Sequence, residues 1–267
     1  MNYSTEKNYW RQDINKLTYL QGFLTGIGLI LVVSYLFYGN VVAGIILSPY
    51  LFFHMKEWER KCIKKNQKEF QGQFKEAMQS ISVALNVGYS AENAVREAYG
   101  DLKLIYSKDA RILKELQYMI HQIDMNIPLE QIFLEFAKRC GDEEVQMFAT
   151  VFGLAKRSGG DMIEIIRNAV WQIGEKIDVK QEIETMMAAK KMEFRIMSLI
   201  PIGMIFYISM AFPDFLEIMY GNLFGIIVMS VCLIIYLFVV KHHIWINVPI
   251  HPEFLSMSAE IAGSDAL

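Results

Sequence analysis

"LTYLQGFLTGIGLILVVSYLFYGNVVAGIILSPYLFFHM" runs from Leu17 to Met55 without one Asp, Glu, Lys or Arg. So long an uncharged run belongs in a bilayer, where an ionised side chain is costly. One span takes about 20 residues, and this run is too long for one. Gly39-Asn40 divides it, a natural turn pair. The run therefore predicts two spans, about Thr18–Phe37 and Val41–Met55, the second short and tilted or kinked by Pro49. No small-residue cleavage site follows a basic start, and a second apolar segment comes at once. The first segment thus reads as a span and not as a cleaved signal peptide.

The same test applied outward finds Ile196–Pro213 and Ile218–Val240 uncharged as well, predicting spans near Ile196–Phe215 and Leu223–Val240. Of the 267 residues 53% are hydrophobic and 21% charged, and the mean hydropathy is +0.24. That apolar excess sits in the four runs and not in the middle of the chain. Of 26 Lys and Arg, 22 lie between Lys56 and Arg195, three precede the first span, and only Lys241 follows the last. The Gly39-Asn40 turn and the loop Pro213–Asn222 carry none. By the positive-inside rule both termini and the central region face the cytoplasm. The expected organisation is a cytoplasmic N-terminus (1–17), two transmembrane helices (18–55), a cytoplasmic helical domain (56–195), two transmembrane helices (196–240) and a cytoplasmic tail (241–267). The central region also holds 22 Asp and Glu, so its net charge is near zero and it offers no nucleic-acid surface.

Within that region apolar residues recur at helical spacing. Phe70, Phe74, Ala77, Met78, Ile81, Ala84 and Leu85 make one stripe, ended by Gly88; Ser90 with Asn93 opens the next helix. Ala91, Ala94, Val95, Ala98 and Tyr99 line that helix. Ile112, Leu113, Leu116, Met119, Ile120 and Ile123 line a third, which stops at Asn126-Ile127-Pro128, and Pro128 suits the first turn of a fourth. Leu129, Ile132, Phe133, Phe136 and Ala137 follow, then Gly141-Asp142 as a stop and start. Val145, Phe148, Ala149, Phe152 and Ala155 make the fifth stripe. "LAKRSGGDMIEIIRNAV" (Leu154–Val170) then reverses the chain. Lys156 and Arg157 fall in a last turn, where cations suit the dipole. Gly159 or Gly160 can take the left-handed conformation that ends a helix. Asp161 with Glu164 fits a capping box for a sixth. That helix shows no stop before the membrane, which makes it about 50 Å long as far as Arg195, with Gly174 a place for a bend. The expectation is an all-α polytopic membrane protein: four transmembrane helices and an antiparallel cytoplasmic bundle of about six helices, three hairpins in series.

Chemistry-bearing patterns are lacking. There is no GxxxxGK[ST] loop, and Gly159-Gly160-Asp161-Met162 follows a helix and not a strand, so neither nucleotide fingerprint applies. His54, His121, His242, His243 and His251 show no metal spacing, and Cys62, Cys140 and Cys232 lie far apart. No ionisable residue interrupts a predicted span, which speaks against a transporter or pump. No catalytic, cofactor or metal residue is expected.

The stretch "ALNVGYSAENAV…IPLEQIFLEFAKRCGDEEVQMFATVFGLAKRSGGDMIEIIRNAV", with the proline-bearing "SLIPIGMIF" after it, resembles the type II secretion system F-domain family. These are platform proteins of secretion systems and type IV pili. The resemblance covers roughly Phe70 to Phe215, and the order of spans is most similar to the TadB/TadC branch of tight-adherence (Flp) pilus assembly. GspF and PilC relatives carry two copies of the domain where this chain has one. The family often has a glycine ahead of the proline element; here Asn126 and Ile127 stand there, and Asn tolerates left-handed geometry. The tail from Asn247 lies outside the resemblance. What the resemblance implies is a non-enzymatic inner-membrane platform. A hexameric secretion ATPase engages it from the cytoplasm, pilin or pseudopilin subunits meet it in the membrane, and it pairs with itself or with a paralogous platform protein among the membrane lipids. Asp142, Glu143, Glu144, Lys156 and Arg157, at the two ends of the fifth helix, are the candidate partner-binding residues, expected on exposed charged surface. Gly88, Ser90, Pro128, Gly159, Gly160 and Asp161 are the expected turn residues. The alternative is a four-span receptor or signalling protein with a helical output domain; the tiny outer loops weaken it.

Overall fold

The structure is a computed structural model that describes residues 9–10, 16–45, 47–158 and 162–246. Among the described residues every regular element is a helix. In chain order they are α1 (Lys16–Tyr38), a short 3-10 turn (Val41–Ile45), α2 (Ser48–Val87), α3 (Ala91–Ile105), α4 (Arg111–Asp124), α5 (Leu129–Cys140), α6 (Glu143–Ser158), α7 (Met162–Ala211), α8 (Pro213–Gly221) and α9 (Leu223–Ile246). The expected reversal at Gly159, Gly160 and Asp161 lies outside the described residues. The chain divides into two compact units, Met1–Phe23 with His54–Glu184 and Leu24–Phe53 with Thr185–Leu267.

In the first unit the stripes read from the sequence become one core. Phe70, Phe74, Ile81, Ala94, Leu116, Phe133, Phe136, Phe148, Phe152 and Ile173 are all buried in it, so each of α2 to α7 contributes. Phenylalanine rings run through its centre: Phe74 lies 6.2 Å from Phe148, and Phe133 lies 5.2 Å from Phe148 and 4.8 Å from Phe152. The helices pair differently from three hairpins in series. The closest neighbours are α3 with α4 and α5 with α6. Ala94 and Ala98, both fully buried, leave α3 a small-residue face that suits a close neighbour. The long α2 and α7 lie antiparallel, tied by Lys68–Glu184 at 2.9 Å and by the ion pair of Lys75 with Asp178.

The turns follow the local chemistry. Gly88 ends α2 at φ +99, a conformation that costs a side-chain-bearing residue strain. The Ser90 hydroxyl accepts the Asn93 N–H at 3.3 Å and caps α3. Asn126 takes φ +60, as its short polar side chain permits, and Pro128 stands at the N-cap of α5, one position before its first turn. Gly141 closes α5 at φ +63.

The second unit holds an apolar cluster of Val33, Leu36 and Phe37 from α1 with Met229 and Leu233 from α9, and Ile202 and Ile205 of α7 pack against it. Tyrosine hydroxyls stitch it together. Tyr220 donates to the Leu36 carbonyl at 2.6 Å, Tyr236 to the Ser198 carbonyl at 2.9 Å, and Tyr38 shares a hydrogen bond with Ser230 at 2.9 Å. Gly39 makes the expected turn at φ +62 with the Tyr220 ring against it.

Three expectations about the spans change. Val41–Met55 is no separate helix: residues 41–45 form the 3-10 turn, and Ser48–Met55 is the uncharged start of the 40-residue α2. Pro49 sits in the first turn of α2, where its missing N–H costs nothing, so it makes no mid-helix kink. The loop predicted at Pro213–Asn222 is largely helical, as α8. Among the described residues two helices, Leu17–Tyr38 and Met162–Ala211, are long and apolar enough to cross a membrane, and Leu223–Val239 is a shorter apolar one.

Candidate functional site

The five candidate partner-binding residues fall into two groups, because α6, about 24 Å long at 1.5 Å per residue, separates its own ends. Lys156 and Arg157 lie at its C-terminal end, both over Glu130 at the start of α5, at 3.7 and 3.8 Å. Arg157 is 72% exposed in its side chain and Lys156 41%. The Asn126 turn immediately precedes α5. Arg96 near the start of α3 pairs with Asp124 at the end of α4, at 2.5 Å. The turns at Gly88–Ser90 and Met125–Pro128 and the pair Lys156–Arg157 therefore share one end of the helical unit.

Asp142, Glu143 and Glu144 lie at the other end of α6, and two of them are not surface residues. Asp142 is 8% exposed and Glu144 2%; only Glu143, with a side chain 80% exposed, matches the expectation. Asp142 Oδ1 accepts the N–H groups of Glu144 at 3.1 Å and Val145 at 3.4 Å, which caps α6. Its Oδ2 accepts from Gln71 Nε2 at 2.9 Å, and Glu144 Oε2 accepts from the same amide at 3.2 Å. Lys176 and Lys180 of α7 reach Glu144 Oε1 at 3.8 and 3.7 Å. Burial, followed by the hydrogen bond and charge of Glu144, pushes the Asp142 carboxyl up to about 6. For Glu144 burial works upward, but the hydrogen bond with Asp142 and the charges of Lys180 and Lys176 outweigh it and hold the carboxyl below its usual range. The cluster joins α2, α6 and α7 in one polar contact inside the unit.

Beside it lies a feature the sequence reading passed over. Trp10, 3% exposed, enters the core against Phe70 at 5.2 Å between ring centres. Its indole N–H donates to the Cys140 carbonyl at 2.9 Å. Tyr9 donates its hydroxyl to Glu115 at 2.9 Å, and Arg111 stacks over both rings at 4.1 and 5.1 Å while donating to the Tyr9 carbonyl at 2.8 Å. Glu115 also takes Arg139 at 2.7 Å. Burial drives the Tyr9 hydroxyl far upward and the Cys140 thiol up to about 12, so both stay neutral. Adjacent aromatics in a polar N-terminal segment were the available signal. For Gln71 the signal was an amide one place along from Phe70 in an apolar stripe. Lys176 and Lys180 gave none.

Among the described residues the fold is all-helical, with two helices long and apolar enough to cross a membrane, and these polar clusters hold helices together. The match to known families then narrows the class: residues 77–210, half of the chain, fit the family described as type II secretion system (T2SS), protein F. The chain belongs to that family, whose members are structural platform proteins of secretion and pilus machinery and not enzymes. No match was found among curated proteins or among solved structures.

Proposed function

We propose that this chain is the inner-membrane platform of a Tad/Flp-like pilus or a type II secretion machine, coupling a hexameric secretion ATPase in the cytoplasm to pilin or pseudopilin subunits in the bilayer. The family match over residues 77–210 carries the reading. Its topology is four crossings with both termini and the helical unit on the cytoplasmic side.

Two contacts support that topology. Trp10 is seated in the core of the helical unit, which puts Trp10 on the same side as that unit. Trp58 Nε1 donates to the Thr18 carbonyl at 3.1 Å, beside Gly22. From Thr18 to Tyr38 α1 is about 30 Å long, close to the thickness of a bilayer core. The path from Asn40 to Trp58 returns to the level of Thr18. The two ends of the segment from Thr18 to Trp58 thus lie together in the first unit.

The motor contact in this reading is the end of the unit that carries Lys156, Arg157 and the turns at Ser90 and Pro128. The test is co-purification of the full chain, in detergent, with the secretion ATPase of the same organism. Retention that is lost on reversing Lys156 and Arg157 to Glu supports both role and surface. Retention that survives the reversal moves the surface. No retention by the folded chain overturns the platform reading in favour of a membrane receptor.

A further inference from the structure

Pro201 lies inside α7, yet α7 continues unbroken from Met162 to Ala211. A proline there removes the N–H that would bond the Met197 carbonyl, and its ring presses on that turn. Such a step weakens a helix unless other groups support the exposed carbonyls. Side-chain hydrogen bonds fall on the carbonyls that flank Met197 in the same turn. The Ser198 hydroxyl donates back to the Arg195 carbonyl at 2.9 Å. The Ser198 carbonyl, three residues before the proline, accepts the hydroxyl of Tyr236 from α9 at 2.9 Å. A carbonyl has two lone pairs, so it can take this bond in addition to any within the helix. Ile202 and Ile205, just past the proline, pack on the apolar cluster that α9 builds with Met229 and Leu233.

We propose that Pro201 is a swivel in α7 and that Tyr236 is the latch holding it straight. With the latch closed, the part of α7 that lies in the second unit, from Thr185 to Ala211, moves as one rod. With it open, the residues before and after Pro201 turn independently, and α9 thereby sets how stiffly α7 carries a displacement along its length. Tyr236 is a positioning residue, acting through the Ser198 carbonyl, and the inference holds whatever machinery the chain serves.

Met192 and Met210 are exposed, lie 18 positions apart on one face of α7 and flank the proline; along a straight helix they are about 27 Å apart. Spin labels on Met192→Cys and Met210→Cys, in the full chain carrying Cys62→Ser, Cys140→Ala and Cys232→Ser and reconstituted in lipid nanodiscs, report the bend by pulsed electron resonance. The expected result is one narrow distance distribution for Tyr236, a distribution at least twice as broad and shifted to shorter distance for Tyr236→Phe, and a narrow one again for Tyr236→Phe with Pro201→Ala. An unchanged distribution in Tyr236→Phe overturns the latch, as does broadening that persists when Pro201 is also replaced. Should Tyr236→Phe not fold, recovery of folding on adding Pro201→Ala supports the proposal, and failure of the double variant to fold overturns it.

Discussion

Replacing Asp142 by Asn isolates the consequence of burying two neighbouring carboxylates. The Asp142 carboxyl is raised from 3.8 to about 6, first by burial and then by Glu144. A carboxyl with a raised folded value contributes stability that is complete below its unfolded value and is lost as pH climbs through the folded one. Asp142 therefore makes the unit less stable as pH rises from about 4 to about 7. About two pH units correspond to about 3 kcal/mol. Glu144 works the other way, its stabilisation being lost only as pH falls below the ordinary glutamate range. Gln71, Lys176 and Lys180 are the other groups that face the pair. The amide introduced by Asp142→Asn keeps an oxygen for the N–H groups of Glu144 and Val145 and offers an NH2 to Glu144, as the protonated acid does, while giving up the oxygen that accepts from Gln71 Nε2. Thermal unfolding of the full chain in detergent, followed by circular dichroism from pH 4.5 to 8, reads the difference. The unsubstituted chain should lose stability across pH 5–7 by an amount on the order of 10 °C in midpoint, while the variant stays nearly level and equals or exceeds it at pH 7.5. Parallel curves for the two proteins across pH 5–7 would refute the account.

Three further outcomes follow from the packing. Trp10→Ala should cost about 3 kcal/mol, at the low end for a buried aromatic because the freed segment regains entropy, and should open buried Cys140 to maleimide in a chain lacking Cys62 and Cys232; continued protection of the thiol contradicts the docking. Gly39→Ala should destabilise the second unit by at least about 1 kcal/mol, since Gly39 has φ +62 and a Cβ there would come 2.8 Å from the Tyr220 ring; a neutral result in the same melt contradicts that approach. Ser90→Ala should cost about 1 kcal/mol through the lost cap, with faster hydrogen exchange confined to the first turn of α3; unchanged exchange there means Ser90 does not cap in solution.

What the sequence conveyed, and what it did not, divides by range. Stripe and turn signals are local, so Phe74, Phe133 and Ile173 could be assigned to a core and Gly88, Ser90 and Asn126 to turns from a few neighbours. The buried state of Asp142 and Glu144 is not local. Both stand in a charged run at a helix start, a pattern that ordinarily means solvent, and only α2 and α7, some 70 residues before them and 30 after, enclose them. Partner choice was illegible for the same reason in α3 and α4: periodicity fixes which face of a helix is buried but not which neighbour covers it. The predicted second span did not form a separate helix because hydropathy counts residues without asking how the chain coils, and a tight 3-10 turn took Val41–Ile45.

Trp10 also decides where this protein can be cut. Hydropathy alone would place the soluble piece at residues 56–195, and that fragment omits the indole that covers Phe70 and occupies the Cys140 carbonyl. It would have an open socket at its centre, with an apolar floor and an unmet acceptor, and so a tendency to self-associate during purification. The socket is also a means of rescue. A short synthetic peptide carrying Tyr9 and Trp10, added to the fragment, should fill it, raise the melting temperature in proportion to the logarithm of its concentration once saturating, and return the fragment to a single species on gel filtration.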